Sequence, residues 1–113
     1  MSDKRDNHRR YYRLAYPSTM MPSMHIAGRE YVVVEISEGG LRIRCEDRFE
    51  FGTGDEVRGE IVFQDDDAIS ISGVVLRCER HDLIIAPLEG ISFKRVVFEQ
   101  RRILSQCPSV RTN

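Results

Sequence analysis

Six residues in the middle of the chain, Leu41-Arg42-Ile43-Arg44-Cys45-Glu46, alternate apolar and charged without a break. Only a strand puts every second side chain on one face, so this run turns Leu41, Ile43 and Cys45 inward and its charges outward. Arg42 and Arg44 accordingly read as a solvated strand face. Similar runs recur along the chain. Residues 24–27 and 31–36 flank Gly28-Arg29, which reads as a hairpin turn. Gly52-Thr53-Gly54-Asp55 turns into residues 57–63, which alternate through Val57, Gly59, Ile61 and Phe63. Asp65-Asp66-Asp67 reads as a solvated hairpin loop, without the spacing or closing Glu of an EF-hand. Residues 69–78 form a long strand whose central Gly73 marks a bend. His81-Asp82 is the next turn, ahead of an apolar run over residues 83–88. Residues 90–93 are either the end of that sheet edge or a short separate strand.

From Lys94 the period changes. Val96, Val97, Ile103 and Leu104, with Phe93 before them, recur at helical spacing to about Gln106, and Pro108 stops the helix. At the other end, Pro17 and Pro22 bracket extended or irregular chain. About six short strands with turns every 8–12 residues, then one helix, make a small antiparallel barrel or sandwich. The helix has too little apolar face to stand alone and covers the sheet or meets a partner. Met20, Met21 and Met24 are placed to close its core.

The 113 residues suffice for one domain with a core of its own. The expected division is a flexible arm over 1–8, the folded domain over 9–106 with its helix at about 94–106, and a tail over 107–113. The net charge of -1 hides a split. Residues 1–13 carry five Lys/Arg against two Asp, and residues 94–113 carry five against one Glu, whereas residues 14–93 carry seven basic and fifteen acidic side chains. An acidic body with basic ends lacks the broad basic face of a duplex-DNA binder and suits a local anion site at a terminus. No run approaches the ~18 apolar residues of a membrane span, and no apolar stretch follows the N-terminus, so the cytoplasm is the expected compartment.

Catalysis finds no support. His8, His25 and His81 stand apart, and Cys45, Cys78 and Cys107 form no CxxC pair, so neither zinc nor a disulfide framework is indicated. Cys45 and Cys78 are expected to pack as small apolar residues. Ser37 has no accompanying base and reads as a turn serine bonding backbone groups. No cofactor is called for.

Two stretches carry binding chemistry: Arg9-Arg10-Tyr11-Tyr12-Arg13, and Glu35-Ile36-Ser37-Glu38-Gly39-Gly40 with 21 residues between them. The guanidinium fork pairs bidentately with phosphate oxygens and matches the O6/N7 edge of guanine. Its flat face stacks on a base, as do Tyr11 and Tyr12. Spaced four apart, Arg9 and Arg13 reach different parts of a folded nucleotide.

In these stretches the chain resembles the PilZ family of bacterial cyclic di-GMP receptors, which pairs an RxxxR motif with a [D/N]xSxxG motif some twenty to thirty residues later. The likeness continues through Gly40-Leu41-Arg42-Ile43, the turn over 52–57 and Gly90-Ile91-Ser92-Phe93, and covers about residues 8–106. It implies an all-β fold with a terminal helix, namely a six-stranded antiparallel β-barrel plus a C-terminal α-helix, binding cyclic di-GMP on its outer surface. Carried over by position, Arg9 and Arg13 are the arginine pair and Arg10 an auxiliary contact. Ser37 is the hydroxyl, and Gly40 allows close backbone approach. Glu35 departs from the pattern, standing where the family has Asp or Asn. It keeps the acceptor for guanine N–H groups, but it is one methylene longer and loses the local Asx-type turn bond. Arg5-Asp6-Asn7-His8-Arg9 is a second RxxxR, but spacing to the strands favours the Arg9/Arg13 register.

The expected mechanism is a switch. Cyclic di-GMP orders the arginine arm against the barrel, and the new surface meets or releases a protein effector. The chain would act as a monomer or homodimer. Two other readings stay open: a PilZ-like adaptor that does not bind the nucleotide, and a small barrel binding single-stranded nucleic acid by Arg and Tyr stacking. The acidic middle argues against the second.

Overall fold

The computed structural model describes residues 13–46, 50–89 and 91–106. The expected arm over 1–8, the residues Arg9, Arg10, Tyr11 and Tyr12, and the tail over 107–113 lie outside the described residues. Among the described residues there are seven strands: β1 (Leu14–Ala15), β2 (Ser23–Ile26), β3 (Arg29–Ser37), β4 (Gly40–Arg44), β5 (Glu56–Val62), β6 (Ala68–Cys78) and β7 (Asp82–Glu89). One helix follows, α1 (Phe93–Gln106). Every pairing is antiparallel. The order β3-β2-β5-β6-β7-β4 returns to β3 through the β3–β4 ladder, so six strands close into a barrel. The short β1 is an addition, paired to the C-terminal end of β3. It has no periodicity of its own to announce it.

The inward row of each strand fills the barrel. Met24, Val33, Ile36, Ile43, Ile61, Leu83 and Ile85 are sealed from solvent, with Phe63 beside them. Met20 and Met24 are buried and Met21 packs against the same cluster, as the sequence suggests. The barrel is narrow enough that two strands meet at glycines. A Cβ on Gly59 would stand 2.4 Å from the His25 carbonyl oxygen, and one on Gly73 2.6 Å from that of Ala86. The long β6 breaks register beside Gly73 and again at Leu76, giving the bend that central glycine announced.

Three expectations are corrected here. The first hairpin turns at Ala27-Gly28, not Gly28-Arg29, because a two-residue loop needs positive φ at both central positions (52° and 83°). Cys78 is exposed at the end of β6, past the Leu76 bulge, and does not pack as a core residue; Cys45 is half-buried against the core. Asp65 and Asp67 are not simply solvated: both carboxylates accept hydrogen bonds from Arg95 of α1, at 2.9 and 3.0 Å.

Helix α1 starts where the Ser92 hydroxyl accepts the Arg95 amide at 3.1 Å, an N-cap that satisfies one otherwise orphaned donor. Its buried stripe is Val96, Glu99 and Ile103. Phe93 and Leu104, expected on the apolar face, are exposed at 55% and 37%. The stripe includes a carboxylate because Glu99 has partners in place. Tyr16 Oη donates to Oε1 at 2.7 Å, and Arg95 and Arg102 reach Oε2 at 3.1 and 3.3 Å. Arg95 also lies 3.9 Å over the Phe63 ring and 4.8 Å from that of Phe98. The helix is thereby fixed across the hairpin after β5 and the chain entering from β1.

Candidate ligand-binding site

Residues 31–36, Tyr-Val-Val-Val-Glu-Ile, hold the key to the outer surface. Tyr31 and Val33 point inward, so unbroken alternation would drive Glu35 into the core. The β3–β4 register instead shifts between Val33 and Glu35. This bulge spends one residue, Val34, and reverses the phase. Ile36 then points inward, with no exposed surface, and Glu35 is turned to the outer face.

From there the registers build a row of outward residues across four strands. Glu35 of β3 faces Arg42 of β4, Arg42 faces Ile84 of β7, and Ile84 faces Arg77 of β6. Directly beneath runs an inward row, Ile36, Leu41 and Ile85. The outward row lines a cleft of about 190 Å³ together with the exposed Leu76 and with Arg13. Arg13 reaches it because β1 pairs Leu14 with Ile36 and Ala15 with Glu35. Continuing that ladder by one residue brings Arg13 beside Ser37.

Ser37 ends β3 in a turn held by its own side chain. The hydroxyl accepts the Gly39 amide at 3.2 Å and donates to the Gly40 carbonyl at 3.3 Å. This is the backbone-bonding role expected of a turn serine, and it shapes the cleft's rim. Gly40 has a reason to be glycine besides access from outside, since a Cβ there would press to 3.3 Å on the Ile85 carbonyl oxygen. Of the proposed site residues, the cleft thus brings together Arg13, Glu35, Ser37 and Gly40. Arg9 and Arg10 lie outside the described residues.

One prominent part of the site escaped sequence reading. Arg42 is not a solvated side chain. It donates to Asp82 at 2.8 Å and to Glu79 at 3.1 Å, and its Nε lies 3.5 Å from the Glu35 carboxylate. Asp82, expected in a turn, opens β7 and is nearly buried between Arg42 and Arg44. The Arg44 hydrogen bond, helped by Arg42, holds the Asp82 carboxyl below the usual carboxylate range. The same contacts raise both guanidinium groups, with Asp82 as the first cause in each. Arg77 leans on the other oxygen of Glu79 at 2.8 Å. Because Arg42 and Arg44 stand 37 to 40 residues from Glu79 and Asp82, no local spacing reveals those pairs; the β4–β7 register brings them together.

The cleft is therefore lined by the cationic Arg13, Arg42 and Arg77, the Glu35 carboxylate and the apolar Leu76 and Ile84, and Arg42 is held by hydrogen bonds that need no ligand. Such a surface can hold an anion between arginines while a carboxylate takes N–H donors from a flat polar ring. Among the described residues no group of His, Cys, Asp and Glu could hold a metal ion. No described helix is long and apolar enough to cross a membrane.

Comparison with known proteins agrees with the geometry. No curated protein matches the chain significantly. The family model described as the PilZ domain matches residues 3–107, which is nearly the whole chain. Because that match spans the barrel, its helix and the stretches that carry both motifs, the chain belongs to the PilZ domain family, a family of cyclic di-GMP receptors.

Proposed function

We propose that the chain is a cytoplasmic, non-enzymatic receptor for cyclic di-GMP that works as an adaptor. The nucleotide draws the arginines of residues 9–13 onto the cleft and so changes the surface offered to a protein effector. Arg9 and Arg13 grip phosphates and a guanine edge, with Arg10 as an auxiliary contact. Glu35 takes guanine N–H donors, and the Ser37–Gly40 turn lets the ring approach the backbone. The supporting observation is the β1–β3 ladder, which brings Arg13, the last residue of the first motif, against the Glu35–Gly40 motif around one cleft.

Titration calorimetry with cyclic di-GMP tests this reading and gives the stoichiometry as well. Arg13→Ala removes one charge-assisted fork, worth ~1–3 kcal/mol in comparable nucleic-acid contacts. The expected result is a loss of about tenfold or more in affinity with the fold intact. If the wild-type chain gives no heat, it is an adaptor without the nucleotide; if Arg13→Ala binds as well as wild type, the site lies elsewhere.

A further inference from the structure

We infer that Arg42 is the positioning residue that allows a glutamate to read guanine at position 35, an inference that rests on the cyclic di-GMP reading above. An aspartate or asparagine at that place is steadied by a bond to its own backbone. Glutamate is too long for that bond and has one more rotatable torsion to fix, so an unaided Glu35 would lose orientation and affinity together. The β3–β4 register supplies another anchor. Glu35 and Arg42 are direct cross-strand neighbours on the outer face, with Nε and Oε1 3.5 Å apart. Arg42 is itself immobilised, because its Nη1 donates to both Asp82 and Glu79. A guanidinium fixed at its far end presents its charge in one place, so this ion pair draws the Glu35 carboxylate to one side of the cleft. One oxygen of Glu35 is turned to Arg42, leaving the other acceptor for the ring. The pairing also offsets a negative charge that would otherwise repel the ligand's phosphates.

Removing Arg42 leaves the fold its other supports. Asp82 keeps two hydrogen bonds from Arg44, at 2.8 and 3.2 Å. Arg42→Met therefore retains the stem and the barrel while deleting the anchor. The discriminating readout is the ratio of affinities for cyclic di-GMP and for its inosine counterpart, which lacks the 2-amino donor that a carboxylate would accept. A general loss of positive field weakens both nucleotides alike, whereas loss of Glu35 orientation weakens the guanine form more.

Titration of wild type, Arg42→Met, Glu35→Asp and the double variant with both nucleotides is the test. Arg42→Met should narrow the guanine-to-inosine ratio by about tenfold, the scale of one hydrogen bond to a charged group. Glu35→Asp should restore the ratio in the Arg42→Met background, because the shorter side chain supplies its own turn bond. An unchanged ratio in Arg42→Met, or a double variant no better than Arg42→Met, overturns the inference while the receptor reading stands. Absence of binding by the wild-type chain overturns both.

Discussion

Ala27 holds a φ of 52° at an exposed hairpin tip, next to Gly28 at 83°. A left-handed backbone crowds the Cβ of an L-residue against the following carbonyl and costs roughly 1–2 kcal/mol, a penalty that Asn offsets by local hydrogen bonding. Asn-Gly is the preferred pair for such a turn. Ala27→Asn should therefore stabilise the chain by about 0.5–1 kcal/mol, read as a higher urea midpoint at unchanged slope. A lower midpoint would mean that the tip is not strained as described. The same scale shows what sequence could and could not say of the site. Glu35 stands out in the chain as the odd residue of its motif. Its direction was not legible. Strict alternation after Tyr31 and Val33 would point it inward, and only the bulge at Val34 turns it out. Arg42 and Asp82 each look ordinary alone, one a strand charge and the other a turn residue, because their partnership exists only across the closed barrel.

Helix α1 carries the clearest conflict between pattern and packing. Its apolar residues spread over Phe93, Val96, Val97, Phe98, Ile103 and Leu104, yet the buried stripe is Val96, Glu99 and Ile103. A glutamate with no exposed surface is tolerable because Tyr16, Arg95 and Arg102 all engage it. Arg95 is held on its other side by Asp65 and Asp67. Taking one member from a buried charge network strands the others, which typically costs 3–5 kcal/mol. Glu99→Ala should accordingly lower unfolding free energy by about 3 kcal/mol, since Arg95 retains the two aspartates. Tyr16→Phe deletes one hydrogen bond while keeping the ring and should cost only about 1 kcal/mol. Denaturant unfolding of the two variants checks the ordering, and equal costs would show that the hydroxyl, not the carboxylate, is the centre of the network. Helical spacing marks the helix in the sequence, since it requires only neighbours three and four apart. The docking face does not show, because it depends on a tyrosine 83 positions away. Strand β1 is invisible for a related reason: two residues have no period, and what makes them a strand is the edge of β3 beside them.

Across the whole molecule, two acidic clusters are paired with the chain's own arginines. Glu35, Glu79 and Asp82 serve Arg42, Arg44 and Arg77 at the cleft, and Asp65, Asp67 and Glu99 serve Arg95 and Arg102 at the helix. At the helix, the charge split that argues against a duplex-DNA surface also ties Arg95 of the basic end to Asp65 and Asp67 of the acidic middle. Those ties make stability depend on pH in a definite direction. Arg44 and Arg42 lower the Asp82 carboxyl, and Arg95 lowers that of Asp65. A carboxylate with a lowered folded-state pKa stabilises the fold above its unfolded value of about 3.9, and that contribution is lost as pH falls through the folded value. Burial first, and then the bond to Glu99, push the Tyr16 hydroxyl far up from 10.0, so its contribution persists to about pH 10 and is lost above it as the unfolded chain ionises. The urea midpoint should therefore be insensitive to these groups between about pH 5 and 9 and fall on either side. Asp82→Asn should begin less stable at neutral pH, with Arg42 and Arg44 underpaired, and should lose less between about pH 5 and 3. An acid limb as steep in Asp82→Asn as in wild type would place the acid sensitivity elsewhere. The arginine cluster beneath the cleft would then be a surface arrangement that contributes nothing to holding β4 against β7.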